Sequence, residues 1–225
     1  MKPIVLGYGL LGKEIVNQTN WDFLSRKKDG IDANDIKTMT PILSKYDTII
    51  NCIAHTDTYS KEKDQNWSVN YAFVDKLIDY SNLENKKLIH ISTDYIYANS
   101  ISNASENDVP VHIGTWYGYT KLLGDSLIQL RSKNYLICRL SHKPYPFPYE
   151  QAWSDIITNG DYVNIIAELV INLINKNSSG VFNVGTDEKS IYDLALKTKN
   201  VTPCFKPDYV PYDTTMCLDK LKKEI

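Results

Sequence analysis

The chain opens on Ile4-Val5-Leu6-Gly7-Tyr8-Gly9-Leu10-Leu11-Gly12. The apolar run Ile4-Val5-Leu6 reads as a buried parallel strand that stops at a glycine. Apolar residues then recur at helical spacing from Leu10 to Val16, so a helix begins inside the glycine turn. In such a turn the first glycine permits the tight bend. The second lets backbone approach a pyrophosphate, and the third lets helix pack close to strand. The helix start offers free N–H groups and a favourable dipole to phosphates. As a string the spacing is weak. Its place between the first strand and the first helix makes Gly7, Tyr8, Gly9, Leu10, Leu11 and Gly12 candidate nucleotide-binding residues.

The pattern continues outward from that turn. Trp21 to Leu24 is a weak second strand, and Asp35 to Lys45 reads as a short helix around Pro41. Asp47 to Ala54 is a strong strand, and residues 61–82 carry a helical stripe of Trp67, Val69, Ala72, Phe73, Leu77 and Ile78. Lys87 to Ser92 is a strand, Tyr117 to Arg131 a helix and Tyr135 to Leu140 a strand. Alternating strands and helices imply an α/β, doubly wound parallel sheet of the Rossmann type. Ligands of such sheets sit beyond the carboxyl ends of the strands.

After residue 140 the rhythm breaks. Lys143 to Tyr149 holds three prolines and reads as loop. Tyr162 to Asn175 is an amphipathic helix, Val181 to Val184 a strand and Ile191 to Leu196 a helix, and the tail from Val201 is mixed. The expected division is a dinucleotide-binding domain over 1–140 and a small, shortened C-terminal substrate lobe over 141–225. That lobe is interleaved with the last strand and helices of the main sheet.

Composition sets bounds. The 225 residues include 43% hydrophobic ones, enough for a real core, and the net charge of -2 gives no basic footprint for nucleic acid. The four cysteines, Cys52, Cys138, Cys204 and Cys217, are widely spaced, with no metal-like cluster. Cys52 and Cys138 fall in apolar runs that read as strands, where a thiol is a small core residue. No signal peptide or membrane span is legible, so a reduced, cytoplasmic protein is expected.

An acid is expected about 20 residues past the glycine turn when the cofactor is NAD(H), to hold the ribose 2′-hydroxyl. The second strand instead ends in Leu24-Ser25-Arg26-Lys27-Lys28. A hydroxyl and three cations suit a 2′-phosphate, which favours NADP(H) with Ser25 and Arg26 as contacts. Asp29 and Asp32 keep NAD(H) open.

Tyr117 and Lys121 are four apart and share a helix face. With 16 Tyr and 22 Lys in 225 residues, about 1.6 such pairs arise by chance, and the chain has a second, Tyr59/Lys63. Spacing alone is therefore worthless. Context separates the pairs: Tyr117 follows a strand ending in Ser92-Thr93, beside the expected cofactor site. A tyrosine there can act as general acid toward a carbonyl oxygen. A neighbouring ammonium is expected to lower its pKa from near 10, and Thr93 to orient the carbonyl.

With these residues in hand, the chain resembles the extended short-chain dehydrogenase/reductase family. The closer likeness is to its dTDP-4-dehydrorhamnose reductase-like, sugar-nucleotide-binding subfamily. The likeness rests on Ile89-His90-Ile91-Ser92-Thr93-Asp94-Tyr95-Ile96-Tyr97, on Asp47 to Thr56, on Val69-Asn70 and on Tyr117 to Asp125, where Asp125 replaces the usual glutamate. Gly180 to Gly185 is similar to a late strand of the substrate side. The resemblance implies that NADPH, or NADH, delivers hydride to C4 of a nucleotide-linked 4-keto-6-deoxy sugar. Tyr117 would protonate the oxyanion, Lys121 would support it and hold the nicotinamide ribose, and Thr93 would bind the keto oxygen. It further implies cofactor contacts from Cys52, Ile53 and Ala54, and substrate contacts from Thr56, Asp94, Tyr95 and His142. A homodimer is compatible with it. Related dehydratases carry Asp-Glu where this chain has Asp94-Tyr95, which argues for a reductase.

Two departures stand out. The family's Arg-Thr-Ser-Trp reads Arg139-Leu140-Ser141-His142, so His142 occupies the position of a sugar-contacting tryptophan. The stretch from 141 to 160 is short. A nucleotide-sugar epimerase of the same fold and a catalytically silent NADP-binding regulatory subunit remain as alternatives.

Overall fold

The computed structural model describes residues 1–98, 102–110 and 114–225. Six parallel strands form the central sheet: β1 (Pro3–Leu6), β2 (Asp22–Leu24), β3 (Thr48–Asn51), β4 (Lys87–Thr93), β5 (Tyr135–Leu140) and β6 (Gly180–Val184). Their spatial order is β6-β5-β4-β3-β1-β2. Order reverses beside β1, so a crevice opens between the ends of β1 and β3, where ligands of such sheets bind.

Alternation along each strand feeds two cores. On one face Val5, Ile50, Ile89, Leu136 and Phe182 pack against Leu11 and Ile15 of helix α1 (Leu10–Thr19) and the apolar side of a later helix, Val163–Asn175. On the other, Ile4, Leu6, Ile49, Leu88 and Ile137 meet Phe73, Leu77 and Ile78 of α2 (Phe73–Leu83) and Ile128 of α3 (Trp116–Arg131). Strands covered on both faces carry near-continuous apolar runs, which is why β1, β3 and β5 are so legible.

Several boundaries differ from expectation. β3 ends at Asn51, although the Cys52 N–H still donates to the Leu6 carbonyl of β1 at 2.9 Å, and Cys52 to Ala54 lie at the crevice. The stripe over 61–82 is not one even helix: Lys63–Trp67 leads through a π-turn, Ser68–Ala72, into α2. The asparagine in that π-turn explains the irregularity. Asn70 accepts from the His55 N–H at 2.8 Å and donates to the His55 carbonyl at 3.1 Å, pinning the loop after β3. Residues 35–45 split into a 3-10 turn, Ile36–Thr38, and a short helix, Thr40–Leu43, with Pro41 in its first turn, where proline's missing N–H costs nothing.

Beyond β5 the chain makes a small lobe with its own core of Phe147, Ala152, Ile156, Tyr162, Ile191, Leu194, Ala195 and Val210. Lys143, read as loop, pairs with Tyr162 in a two-residue parallel bridge. α4 (Val163–Asn175) and β6 then return to the main sheet. α5 (Ile191–Leu196) packs in the lobe. The mixed tail ends in a short helix, α6 (Asp219–Glu224), that no periodicity announced. Met216 and Leu218 pack on Ile96 and Tyr97, strapping the tail to the turn after β4.

Candidate active site

The glycine turn stands at the mouth of a groove of about 990 Å³. Gly7 has φ +93°, which disfavours any side chain, and a Cβ on Gly12 would collide with the Gly7 carbonyl. A Cβ on Gly9 meets no neighbour within 4 Å, so it would point into open space at the turn. No side chain caps the start of α1, leaving its first N–H groups for a ligand. Tyr8 stacks on Phe23 at 4.0 Å between centroids and forms one wall. Leu10 is exposed and Leu11 is buried in the core, and neither is among the residues that line the groove.

The groove's far end is basic. Arg26, Lys27 and Lys28 line it, with Ser25 and Asp32. Within this stretch Arg26–Asp29 forms a single helical turn. Ser25 caps it by accepting from the Lys28 N–H at 3.1 Å, and Asp29 accepts from the Ser25 N–H at 2.8 Å. Asp29 is thereby spent on the turn itself. Cys52, Ile53 and Ala54 line the opposite side. An uncapped helix start, a glycine cradle and a cationic end fit a dinucleotide with a phosphate on its ribose.

Next to this groove lies a cavity of about 290 Å³, lined by Thr93, Asp94, Tyr95, Tyr117, Lys121, His142, Lys143 and Trp153, among others. Cys52 and Ala54 line both spaces. Thr93 ends β4 and caps the turn Asp94–Tyr97, accepting from the Tyr95 N–H at 3.2 Å. Tyr117 sits in the first turn of α3, whose start is capped by Thr115. Its hydroxyl is hydrogen-bonded with Thr93. Burial pushes the Tyr117 pKa up to about 12 against that bond. The expected lowering by Lys121 is therefore absent. The Lys121 Nζ is turned to the Ile91 carbonyl at 2.6 Å and to the His90 ring at 3.1 Å instead.

Asp94 is buried and accepts from Thr214 at 2.8 Å and from Thr93 at 3.3 Å. Desolvation raises its pKa to about 6, opposed by those bonds and by Lys143. Tyr95 shares a 2.6 Å hydrogen bond with Tyr59 and meets Tyr117 edge to face at 6.4 Å. His142 lines the cavity with its Nδ1 buried and without a hydrogen-bond partner in the structure, and burial holds its pKa down to about 4. Thr56 is not brought to this cavity. It is exposed, and Thr58 lines the wall in its stead.

Sequence reading missed Trp153, Lys143, Thr214 and His90. Trp153 stands alone in an aperiodic segment, yet it lines the cavity beside His142. Also missed was the support beneath the site. Asp125 and Arg139 form a fully buried ion pair at 3.0 Å, and Arg139 reaches the Tyr97 hydroxyl at 2.5 Å. Tyr97 in turn reaches Asn183 of β6 at 3.0 Å. One signal was available: a charge inside the strand run Tyr135 to Leu140 demands a partner.

A sequence model of the family described as RmlD substrate binding domain matches residues 1–142. The chain belongs to this family. A curated relative, the spore coat polysaccharide biosynthesis protein SpsK of Bacillus subtilis, is 29% identical over 152 residues, 62% of this chain and 52% of the relative. The chain thus spans about half the length of that relative. Among solved structures, dTDP-4-dehydrorhamnose reductase from Bacillus anthracis in complex with NADP superposes with TM-score 0.83 at 22% identity. It covers 99% of this chain and 91% of that one. A hypothetical dTDP-4-dehydrorhamnose reductase from Sulfolobus tokodaii gives TM-score 0.82 at 21% identity, covering 100% and 95%. At these identities the likeness establishes the RmlD-type fold over the whole length of the chain. No helix among the described residues is long and apolar enough to cross a membrane.

Proposed function

We propose that the protein is an NADPH-dependent reductase of the 4-keto group of a nucleotide-linked deoxy sugar. One observation carries the reading. Thr93, Tyr117 and Lys121 line one cavity that shares a wall with the glycine-turn groove, with Tyr95 in place of a second acid after Asp94. The bound, reduced nicotinamide supplies the hydride. Every other part of the step belongs to the chain. Thr93 orients the keto oxygen toward Tyr117. Tyr117 keeps its proton through neutral pH because burial raises its pKa to about 12, so it stands ready as the acid that a reduction requires. Lys121 holds the nicotinamide ribose with an N–H. Arg26, with Ser25, receives the 2′-phosphate, which selects NADP(H); NADH is the weaker partner.

In this reading the sugar sits between the Thr93 end of β4 and the small lobe. Trp153 offers the aromatic face, and His142 and Lys143 the polar edge. The likeness to the dTDP-4-dehydrorhamnose reductase from Bacillus anthracis and the hypothetical one from Sulfolobus tokodaii supports the reading, and SpsK supports a sugar-polymer setting. The test is to add nucleotide-linked 4-keto-6-deoxy sugars to the protein with NADPH and follow absorbance of the reduced cofactor. Consumption that requires the sugar supports the reading. Tight NADPH binding without consumption across the panel overturns it in favour of a silent binding subunit.

A further inference from the structure

Lys143 follows β5 and lines the smaller cavity with Thr93, Tyr117 and Lys121, but it does not line the glycine-turn groove. Its backbone is held on two sides. It pairs with Tyr162 in the parallel bridge, and Pro144 after it favours an extended backbone. Tyr162 is itself buried and donates its hydroxyl to the Leu194 carbonyl at 2.9 Å, which anchors the bridge in the small lobe. The groups around Lys143 are engaged with other partners. Asp161, on the strand across the bridge, accepts from Thr186 at 2.6 Å and is ion-paired with Lys189 at 3.4 Å. Asp94 accepts from Thr93 at one oxygen and from Thr214 at the other. It attracts Lys143 through space without an ion pair. His142 beside it is neutral, with a pKa of about 4. Lys121, the other cation of the cavity, donates to the Ile91 carbonyl. Among the described residues, none accepts a hydrogen bond from the Lys143 ammonium.

An ammonium carries three donors, and a partly buried one without acceptors is costly. Burial lowers the Lys143 pKa, and Asp94 opposes that and favours the charged form. The cofactor is not the partner. Its phosphates have the uncapped start of α1 and the Arg26 end of the other groove. A neutral keto sugar ring offers only uncharged oxygens. We propose that Lys143 binds an oxyanion of the sugar nucleotide and so selects substrates that present one to this cavity. The oxyanion is either the pyrophosphate that joins sugar to nucleoside or a carboxylate on the sugar ring. Charge-assisted hydrogen bonds from an ammonium suit both. The substrate class rests on the proposed reductase reading. The segment that matches the family model ends at residue 142, so family membership says nothing of Lys143.

Calorimetric titration of the NADP⁺-loaded protein tests this without turnover. The probes are thymidine diphosphate, uridine diphosphate, UDP-glucose and UDP-glucuronic acid. Lys143→Met keeps the length of the side chain and removes its charge. If the pyrophosphate is the ligand, that variant should bind every probe that wild type binds at least about tenfold more weakly. If a ring carboxylate is the ligand, only UDP-glucuronic acid should weaken, losing its advantage over UDP-glucose. Lys143→Arg should restore most of the affinity in either case. Affinity for NADP⁺ should stay within about twofold, which also shows that the variant is folded; Lys143→Gln takes its place if it is not. Unchanged affinity for all four probes in the neutral variant overturns the proposal. So does the failure of all four to bind wild type. Weakened binding with no sugar ever reduced sinks only the reductase reading. A sugar reduced with an unchanged KM in Lys143→Met sinks only the role of Lys143.

Discussion

The floor and the roof of the candidate site are built differently. The floor is the end of β4 and the first turns of α3, where Thr93 and Lys121 are almost wholly buried and hydrogen-bonded to backbone and to each other's neighbours. It stands on the Asp125–Arg139 pair, itself buried. The roof is the stretch from His142 to Trp153, short and rich in proline, with Tyr145 and Tyr149 exposed. A buried polar group that loses its partner is costly, so the floor tolerates one arrangement. The roof contributes shape and aromatic surface, which are more readily changed. On the proposed function, chemistry would belong to the floor and sugar choice to the roof, and mutations should divide accordingly.

The largest effect expected is at the floor. Tyr117→Phe removes the proton donor and should lower kcat by at least about 100-fold, leaving NADPH affinity within about twofold. Wild-type turnover in that variant would break the floor's role. Next comes the support. Arg139→Met leaves a buried carboxylate alone and should cost about 3–5 kcal/mol in denaturant unfolding, while replacing both partners with apolar residues should cost much less. Equal losses from the single and double variants would show that packing, not charge, is at stake.

The roof should give a smaller and different signature. Trp153→Ala is expected to raise KM for the sugar about tenfold by removing buried aromatic surface, with NADPH affinity unchanged. A fall in kcat with KM untouched would move Trp153 to the floor. Arg26→Ala, at the exposed end of the groove, should weaken NADPH about tenfold and NADH hardly at all, and the loss should shrink at high salt. Equal losses would reduce Arg26 to surface charge.

The smallest effect is in stability against pH. The Asp94 pKa is raised in the folded protein from 3.8 to about 6, so its ionised form is penalised by folding. Below the unfolded value that penalty is absent. It grows as pH rises between the two values and is complete above about 6. The stability of Asp94→Asn relative to wild type should therefore climb between pH 4 and about pH 6 to 7, then level off. A flat difference in urea unfolding across that range would place Asp94 in contact with water.

The same division explains what the sequence could show. β1, β3 and β5 are the most legible strands because neighbours such as Ile49 and Ile50, or Leu136 and Ile137, serve opposite cores, which leaves near-continuous apolar runs. The glycine turn is legible because backbone geometry there admits only Gly7 and Gly12. Tyr117 and Lys121 have a spacing no better than chance, and only the Ser92-Thr93 strand end beside them gave it meaning. His90 reads as one more strand residue, since a pattern of burial cannot name the partner of a buried polar ring. Trp153 and Thr214 reach the cavity through long-range folding of the lobe and tail, which no local periodicity records. The π-turn at Ser68–Ala72 escaped for a similar reason: it is bent by Asn70 bonding to His55, fifteen positions back.

The most direct test of the central claim follows the hydride itself. NADPH deuterated at the transferring position is incubated with the protein and a nucleotide-linked 4-keto-6-deoxy sugar, and the product is read by mass and by proton resonance. The account predicts one deuterium per product molecule, at C4 and on one face, with stoichiometric oxidation of the cofactor and no label transfer in Tyr117→Phe. A changed sugar carrying no deuterium, with the cofactor left reduced, would contradict a reductase and favour an epimerase that returns its own hydride.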